Sequence, residues 1–235
     1  MPESSLGPLP SVGDVRVDRV VGALDLPTPL AGRARFTEEA DRVLAGETLE
    51  DLAPALAQSE APPSFEIAGA RRRIAFDPAT TTAGIVTCGG LCPGINNVIR
   101  ALVLTLHHGY GIHRIFGYRY GFAGIADAGD VPPPYQLTPE LVEPIHARGG
   151  SVLGSSRGPQ DVAQMVDRLQ EASVDLLFTI GGDGTLRGAH ALAREIERRR
   201  AALAVVGVPK TIDNDIRWID RSFGFATAVG EARHA

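Results

Sequence analysis

Residues Leu203 to Asp215 set a short apolar run, Val205, Val206 and Val208 around Gly207, directly before Lys210, Thr211, Asp213 and Asp215. One helix length earlier, Leu176 to Ile180 runs in the same way into Gly181-Gly182-Asp183-Gly184-Thr185. Each run has the length of a buried strand, with glycine or charge at its C-terminal end. Open α/β sheets bind their ligands at that end, so a repeated strand-helix fold is the expectation from which the rest of the chain is read.

Taken from the N-terminus, the chain changes character near residue 80. Residues 1 to 80 hold Pro8, Pro10, Pro27, Pro29, Pro54, Pro62 and Pro63, which break any long period, so this part reads as a partly irregular, Pro-rich extension. One helix is expected within it, from Thr37, with Glu38 and Glu39 as its start signal, to about Ala45. Arg71, Arg72 and Arg73 read as a solvated surface turn. From 81 to 235, apolar runs at Ala83 to Val86, Ile112 to Phe116, Leu176 to Ile180 and Leu203 to Val208 are separated by helical stretches. These helices fall at about Pro93 to His108, Gln160 to Glu171, Gly184 to Arg200 and Phe223 to the end. Such alternation requires right-handed crossovers, so the expected fold is α/β, doubly wound, with a mainly parallel sheet covered by helices on both faces.

With 44% hydrophobic residues the chain can bury one sizeable core, and a net charge of -5 without a clustered basic face argues against nucleic-acid binding. No apolar run approaches the ~20 residues of a membrane helix and the N-terminus lacks the order of a secretory signal, so a soluble cytoplasmic protein is expected. Cys88 and Cys92 are the only two cysteines. They rule out a disulfide framework, and without nearby His or further Cys they make an incomplete metal site, so packing is their expected role.

Candidate chemistry sits in the turns. Thr87 to Asn97 runs strand, glycines, helix: its backbone N–H groups could meet an anion, or the turn could be an ordinary connection. Gly149 to Gly158 is expected to place a short Val152-Leu153 strand before Arg157, a guanidinium that could grip phosphate or simply lie at the surface. Gly117 to Gly124, with Tyr118, Arg119, Tyr120 and Phe122, reads as a loop that lines a cleft or packs. In Gly181 to Thr185 an acidic residue would repel a bare anion, so Asp183 makes sense when magnesium bridges its carboxylate to phosphates. In Pro209 to Asp215 the two carboxylates Asp213 and Asp215 are two apart and, on an extended turn, would point the same way. One could take the proton from an attacking hydroxyl, with Lys210 or Arg157 offsetting charge on the transferred group; capping of the next helix is the alternative.

Together these stretches resemble one family, the 6-phosphofructokinases. The resemblance is carried by GIVTCGGLCPGINNVIR (Gly84 to Arg100), FGYRYGFAGI (Phe116 to Ile125), GGSVLGSSRG (Gly149 to Gly158), TIGGDGTLRGA (Thr179 to Ala189), and GVPKTIDNDI through IDRSFGFATAV (Gly207 to Val229). The CGGLCPG and PKTIDND forms are most similar to the branch found in plants, protists and some bacteria. This resemblance implies glycolytic transfer of the ATP γ-phosphoryl group to O1 of fructose 6-phosphate, giving fructose 1,6-bisphosphate and ADP. It implies Gly90 against the nucleotide phosphates, Arg157 and Gly158 along ATP, and Gly182, Asp183, Gly184 and Thr185 as the phosphate turn, with Asp183 on Mg2+. It further implies Lys210, Thr211, Ile212 and Asp213 at the sugar phosphate, with Asp213 as the base, Asp215 assisting, and Thr211 and Arg157 in the catalytic set.

Donor choice rests on two positions. Gly184 resembles ATP users, since pyrophosphate-dependent members tend to carry Asp there, whereas Lys210 resembles the pyrophosphate users. ATP-dependent members of this branch combine the two, so ATP is expected and a pyrophosphate-dependent enzyme is the alternative. Family members continue into a second half that holds the sugar phosphate and contributes to a homo-oligomer. The sequence ends at Ala235, so a fragment or truncated form lacking the substrate domain is expected. An inactive nucleotide-binding remnant, or a kinase for another acceptor, are the other readings.

Overall fold

The computed structural model describes residues 22–38, 40–46, 48–127, 129–216 and 219–234. Pro8, Pro10 and Glu39, used above, lie outside the described residues. The extension contains β1 (Leu26–Pro27), β2 (Arg42–Leu44), α1 (Leu49–Ala57), β3 (Ser64–Glu66) and β4 (Arg73–Ile74). β1 pairs with β4 and β2 with β3, both antiparallel.

The helix expected from Thr37 does not form. Glu38 and Asp41 close a single turn, the Asp41 carboxylate accepting from the Glu38 N–H at 2.9 Å, and Arg42–Leu44 then pair with Ser64–Glu66 instead of continuing it. The helix starts later, where Thr48 and Asp51 form a capping box. Of the three arginines, Arg72 and Arg73 are exposed as a solvated turn requires, but all three side chains are partnered. Arg71 pairs with Glu66 at 2.9 Å, Arg72 pairs with Glu38 at 2.9 Å and stacks 5.0 Å over the Phe36 ring, and Arg73 donates to the Leu24 carbonyl at 2.6 Å.

The remainder runs β5 (Thr82–Thr87), α2 (Ile95–Leu104), β6 (Arg114–Tyr118), α3 (Gly121–Ala126), β7 (Tyr135–Gln136), α4 (Pro139–Val142), α5 (Val162–Glu171), β8 (Leu176–Gly181), α6 (Asp183–Arg199), β9 (Ala204–Pro209) and α7 (Phe225–Ala232). The sheet order is β7-β6-β5-β8-β9, parallel throughout except for β7. β5 is central and wholly buried because its alternate residues feed two cores. Ala83 and Ile85 pack with Ile95, Ile99 and Val103 of α2 on one face. Val86 packs with Phe122, Met165 and Leu192 of α3, α5 and α6 on the other. The expected α/β sheet with helices on both faces is therefore what the chain forms.

Four local expectations are corrected. β9 is an edge strand rather than a buried one: no described strand pairs beyond it, and Val206 is 42% exposed. Val152 and Leu153 form no strand but a turn, although Leu153 is buried. The Gly117 to Gly124 stretch is no loop: it finishes β6 and begins α3. The helix placed from Pro93 to His108 starts after Gly94, which takes the left-handed conformation at φ 92, and gives way after Leu104 to a π-helical turn over Thr105–Tyr110.

From β5 the chain steps to β6 on one side, and later to β8 on the other. The ends of β5 and β8 thus bracket the point where the winding reverses, the crevice that such sheets use for ligands.

Candidate active site

At the C-terminal ends of the strands Thr87 pairs with Ile180, and Gly181 pairs with Pro209. The turns that follow close around a cavity of about 620 Å³. Gly90, Arg157, Gly158, Gly182, Asp183, Gly184 and Thr185 all line it, so the residues expected at the nucleotide are gathered in one place, and Lys210, expected at the sugar phosphate, lines the same cavity instead of standing with Thr211, Ile212 and Asp213. Phe122, Val162 and Met165 supply an apolar wall.

α6 begins at Asp183 with no side chain capping its first turn, so its N-terminal N–H groups and the positive end of its dipole remain available at the cavity. Gly182 allows the close approach of β9: a Cβ there would lie 3.2 Å from the Lys210 carbonyl oxygen. At Gly184 a Cβ would meet nothing within 4 Å, so the missing side chain leaves open space in the cavity. Lys210 is only 7% exposed and, among the described residues, has no carboxylate within ion-pair distance. A buried ammonium without a counter-charge is costly, and an anion in the cavity would offset it.

Arg157 reaches the same cavity without a strand behind it. The preceding turn is tied to β5 by side chains. The Thr87 hydroxyl donates to the Gly154 carbonyl at 2.6 Å, the Ser155 hydroxyl to the Gly89 carbonyl at 2.6 Å, and the Gly89 N–H to the Ser156 carbonyl at 3.1 Å. Buried Asn96 on α2 accepts from the Val152 N–H at 2.9 Å and donates to the Arg148 carbonyl at 2.9 Å. The Arg157 guanidinium consequently lies over Gly90, 3.6 Å from where a Cβ would stand.

Burial pushes the Cys88 thiol up to about 11, against the smaller opposing pull of a hydrogen bond with the Phe122 backbone, the Thr185 hydroxyl and the Lys210 charge. Burial also raises Cys92. Both are free thiols packed in the core, and among the described residues no group of three or more His, Cys, Asp or Glu could hold a metal by itself.

Thr211, Ile212, Asp213 and Asp215 do not line the cavity but follow Lys210 beyond the end of β9. Their turn is not extended. Asn214 is left-handed at φ 56, its side chain accepting from the Ser222 N–H at 2.7 Å and donating to the Asp220 carbonyl at 2.9 Å. The Thr211 hydroxyl donates to the Asp215 carboxylate and accepts from the Asp213 N–H at 3.2 Å. The two carboxylates therefore differ: Asp215 is engaged in holding the turn, and Asp213 is exposed with no side-chain partner among the described residues. Two polar lining residues, Gln160 and Arg187, escaped the sequence reading. Arg187 lies one turn after Asp183 on α6, and that spacing was the available signal.

The phosphofructokinase family model matches residues 82–235. The chain belongs to the phosphofructokinase family. It is 48% identical over 226 residues to the ATP-dependent 6-phosphofructokinase of Amycolatopsis methanolica, covering 93% of this chain and 49% of that one. The ATP-dependent 6-phosphofructokinase of Trypanosoma brucei brucei is 45% identical over 230 residues, covering 94% of this chain and 46% of its own length. Among solved structures, phosphofructokinase from Saccharomyces cerevisiae superposes with a TM-score of 0.54 at 26% identity, over 65% of this chain and 23% of that one. The chain thus spans about half or less of the length of the phosphofructokinases it matches. Among the described residues no helix is long and apolar enough to cross a membrane.

Proposed function

We propose that residues 81–235 are the nucleotide-binding domain of an ATP-dependent 6-phosphofructokinase, and that residues 1–80 are a Pro-rich N-terminal extension. The reaction is transfer of the ATP γ-phosphoryl group to O1 of fructose 6-phosphate, a glycolytic step carried out in the cytoplasm by a homo-oligomer. One observation carries this reading: a single cavity at the winding reversal gathers Gly90, Arg157, Gly158, the start of α6, and a buried Lys210 that lacks a carboxylate partner. The open space at Gly184 favours ATP over pyrophosphate, because the longer donor needs room beyond two phosphates.

Magnesium fits the donor set. Among the described residues Asp183 is the one carboxylate lining the cavity, and Mg2+ is usually held by one or two carboxylates together with phosphate oxygens and water rather than by an all-protein cage. When bound, the ion would neutralise charge on the transferred phosphoryl group. The chain's own residues would do the rest. Arg157 and Lys210 bind phosphate oxygens, and the N–H groups of Gly184 and Thr185 orient them. Asp213 takes the proton from the attacking 1-hydroxyl, while Asp215 positions Asp213 through Thr211. Thr211 and Ile212 flank the acceptor.

A second reading has its own support. The turn that carries Asp213 is exposed, no described strand pairs beyond β9 and α7 buries none of its residues, so among the described residues the acceptor side has few walls. A chain in this form would bind MgATP without turnover, the remaining walls coming from chain beyond the length shared with its relatives. Titrating MgATP by calorimetry and then running a coupled assay with fructose 6-phosphate separates the two. Binding with turnover supports the enzyme, binding alone supports the nucleotide-binding form, and no saturable binding overturns both.

A further inference from the structure

α5 supplies the apolar part of the cavity wall through Val162 and Met165. α5 rests on α6 through buried Met165, Val166 and Leu169 against Leu192 and Ile196, and one polar side chain adds a second tie between the helices. Arg199, in the last turn of α6, donates from Nε to Glu195 Oε1 at 2.6 Å on its own helix. It also crosses to α5, where Nη1 reaches the Asp167 carboxylate and Gln170 Oε1 at 3.4 Å, and Nη2 reaches the Ala163 carbonyl at 3.1 Å. Its own side chain is 19% exposed, while Asp167 is 57% exposed, so the guanidinium lies half under α5 and its partner carboxylate faces solvent. Ala163 lies directly between Val162 and the turn bearing Met165, so the clamp acts on the stretch that forms the wall. The other arginine tie of α5, Arg168 to Asp127 at 3.2 Å, is 45% exposed on its arginine side, and exposed pairs of that kind hold little.

We propose that Arg199 is a positioning residue for nucleotide selection: by gripping Ala163, Asp167 and Gln170 it sets the distance of the α5 wall from the phosphate turns, and so fixes the space for the nucleobase. This rests on the donor-site reading above. A guanidinium presents five N–H donors on three nitrogens in a rigid fork, whereas an ammonium presents its three from a single nitrogen on a flexible stem. The wall is apolar and touches no phosphate, so loosening it weakens recognition of the base and leaves the phosphate grip intact.

The test compares two ligands on the full chain, MgATP and inorganic Mg-tripolyphosphate, by calorimetry, with circular dichroism and thermal melting to confirm folding. Arg199→Ala is expected to lower ATP affinity on the order of tenfold while tripolyphosphate affinity stays within twofold, since small displacements of a positioned wall are costly for the group it holds. Arg199→Lys falls between the two. Equal losses for both ligands would mean general destabilisation and overturn the proposal, as would no loss for either. Should Arg199→Ala not fold, Asp167→Ala removes one α5 acceptor and is read by the same split. A wild-type chain that binds tripolyphosphate but not ATP overturns this inference alone; one that binds neither overturns the donor-site reading and this with it.

Discussion

Asp183 and Asp213 follow neighbouring parallel strands, β8 and β9, yet their surroundings are opposite. Asp183 opens a 17-residue helix at the wall of a cavity, whereas Asp213 stands exposed in a turn beyond an edge strand. The difference lies in what each end is made from. A phosphate grip uses main-chain N–H groups, a helix start and two cations, all of which one sheet can supply locally. A sugar needs side chains from several directions, and no described strand pairs beyond β9. On the proposed reading, the described residues complete the first task and supply only part of the second.

The sharpest way to break this contrast is to exchange its two carboxylates for neutral groups. Asp213→Ala should cut turnover by roughly 10²- to 10⁴-fold, the usual worth of a general base, while MgATP affinity measured by calorimetry stays within twofold. Asp183→Asn should weaken MgATP binding itself. If Asp213→Ala costs nucleotide affinity as well, the two ends are not separate. Next in size is Gly184→Asp, which puts a charge into open cavity space; ATP affinity should fall about tenfold or more, near 1.4 kcal/mol, with less effect on pyrophosphate.

A smaller change sharpens the acceptor side. Thr211→Val removes the donor to Asp215 and the acceptor for the Asp213 N–H, so urea unfolding should show a loss of about 1–2 kcal/mol. Turnover should drop and MgATP affinity hold. The smallest expected effect concerns Cys88, on the donor side. Its thiol ionises at about 11 when folded against 9.0 when free, so its contribution is complete below pH 9 and is lost as pH climbs toward 11. Wild type should therefore lose about 1 kcal/mol more than Cys88→Ala between pH 8 and pH 10, read from parallel denaturation curves.

Much of the donor end was legible because its causes are local. The runs of β5 and β8, the glycines after them and the acidic start of α6 are contiguous, so eight nominated residues line one cavity. The reading of β9 as buried failed because an apolar run reports a strand's composition and not whether a neighbour covers it. Val152 and Leu153 read as a strand, yet their order comes from Thr87 and Asn96, more than fifty residues away in the chain. The extension was misread for a related reason: strands of two or three residues carry too little alternation to register, and the Glu38–Asp41 turn imitates a helix start. Arg199 left no trace in any motif, since its acceptors lie on the preceding helix.

That the turn before Arg157 is ordered partly by one borrowed hydroxyl and one borrowed amide has a practical meaning for anyone redesigning the protein. Besides its own Ser151, Leu153 and Ser155, the turn depends on Thr87 and Asn96, neither of which lines the cavity. To retune how far the guanidinium extends, one would leave the loop's letters alone and edit the posts to which it is moored.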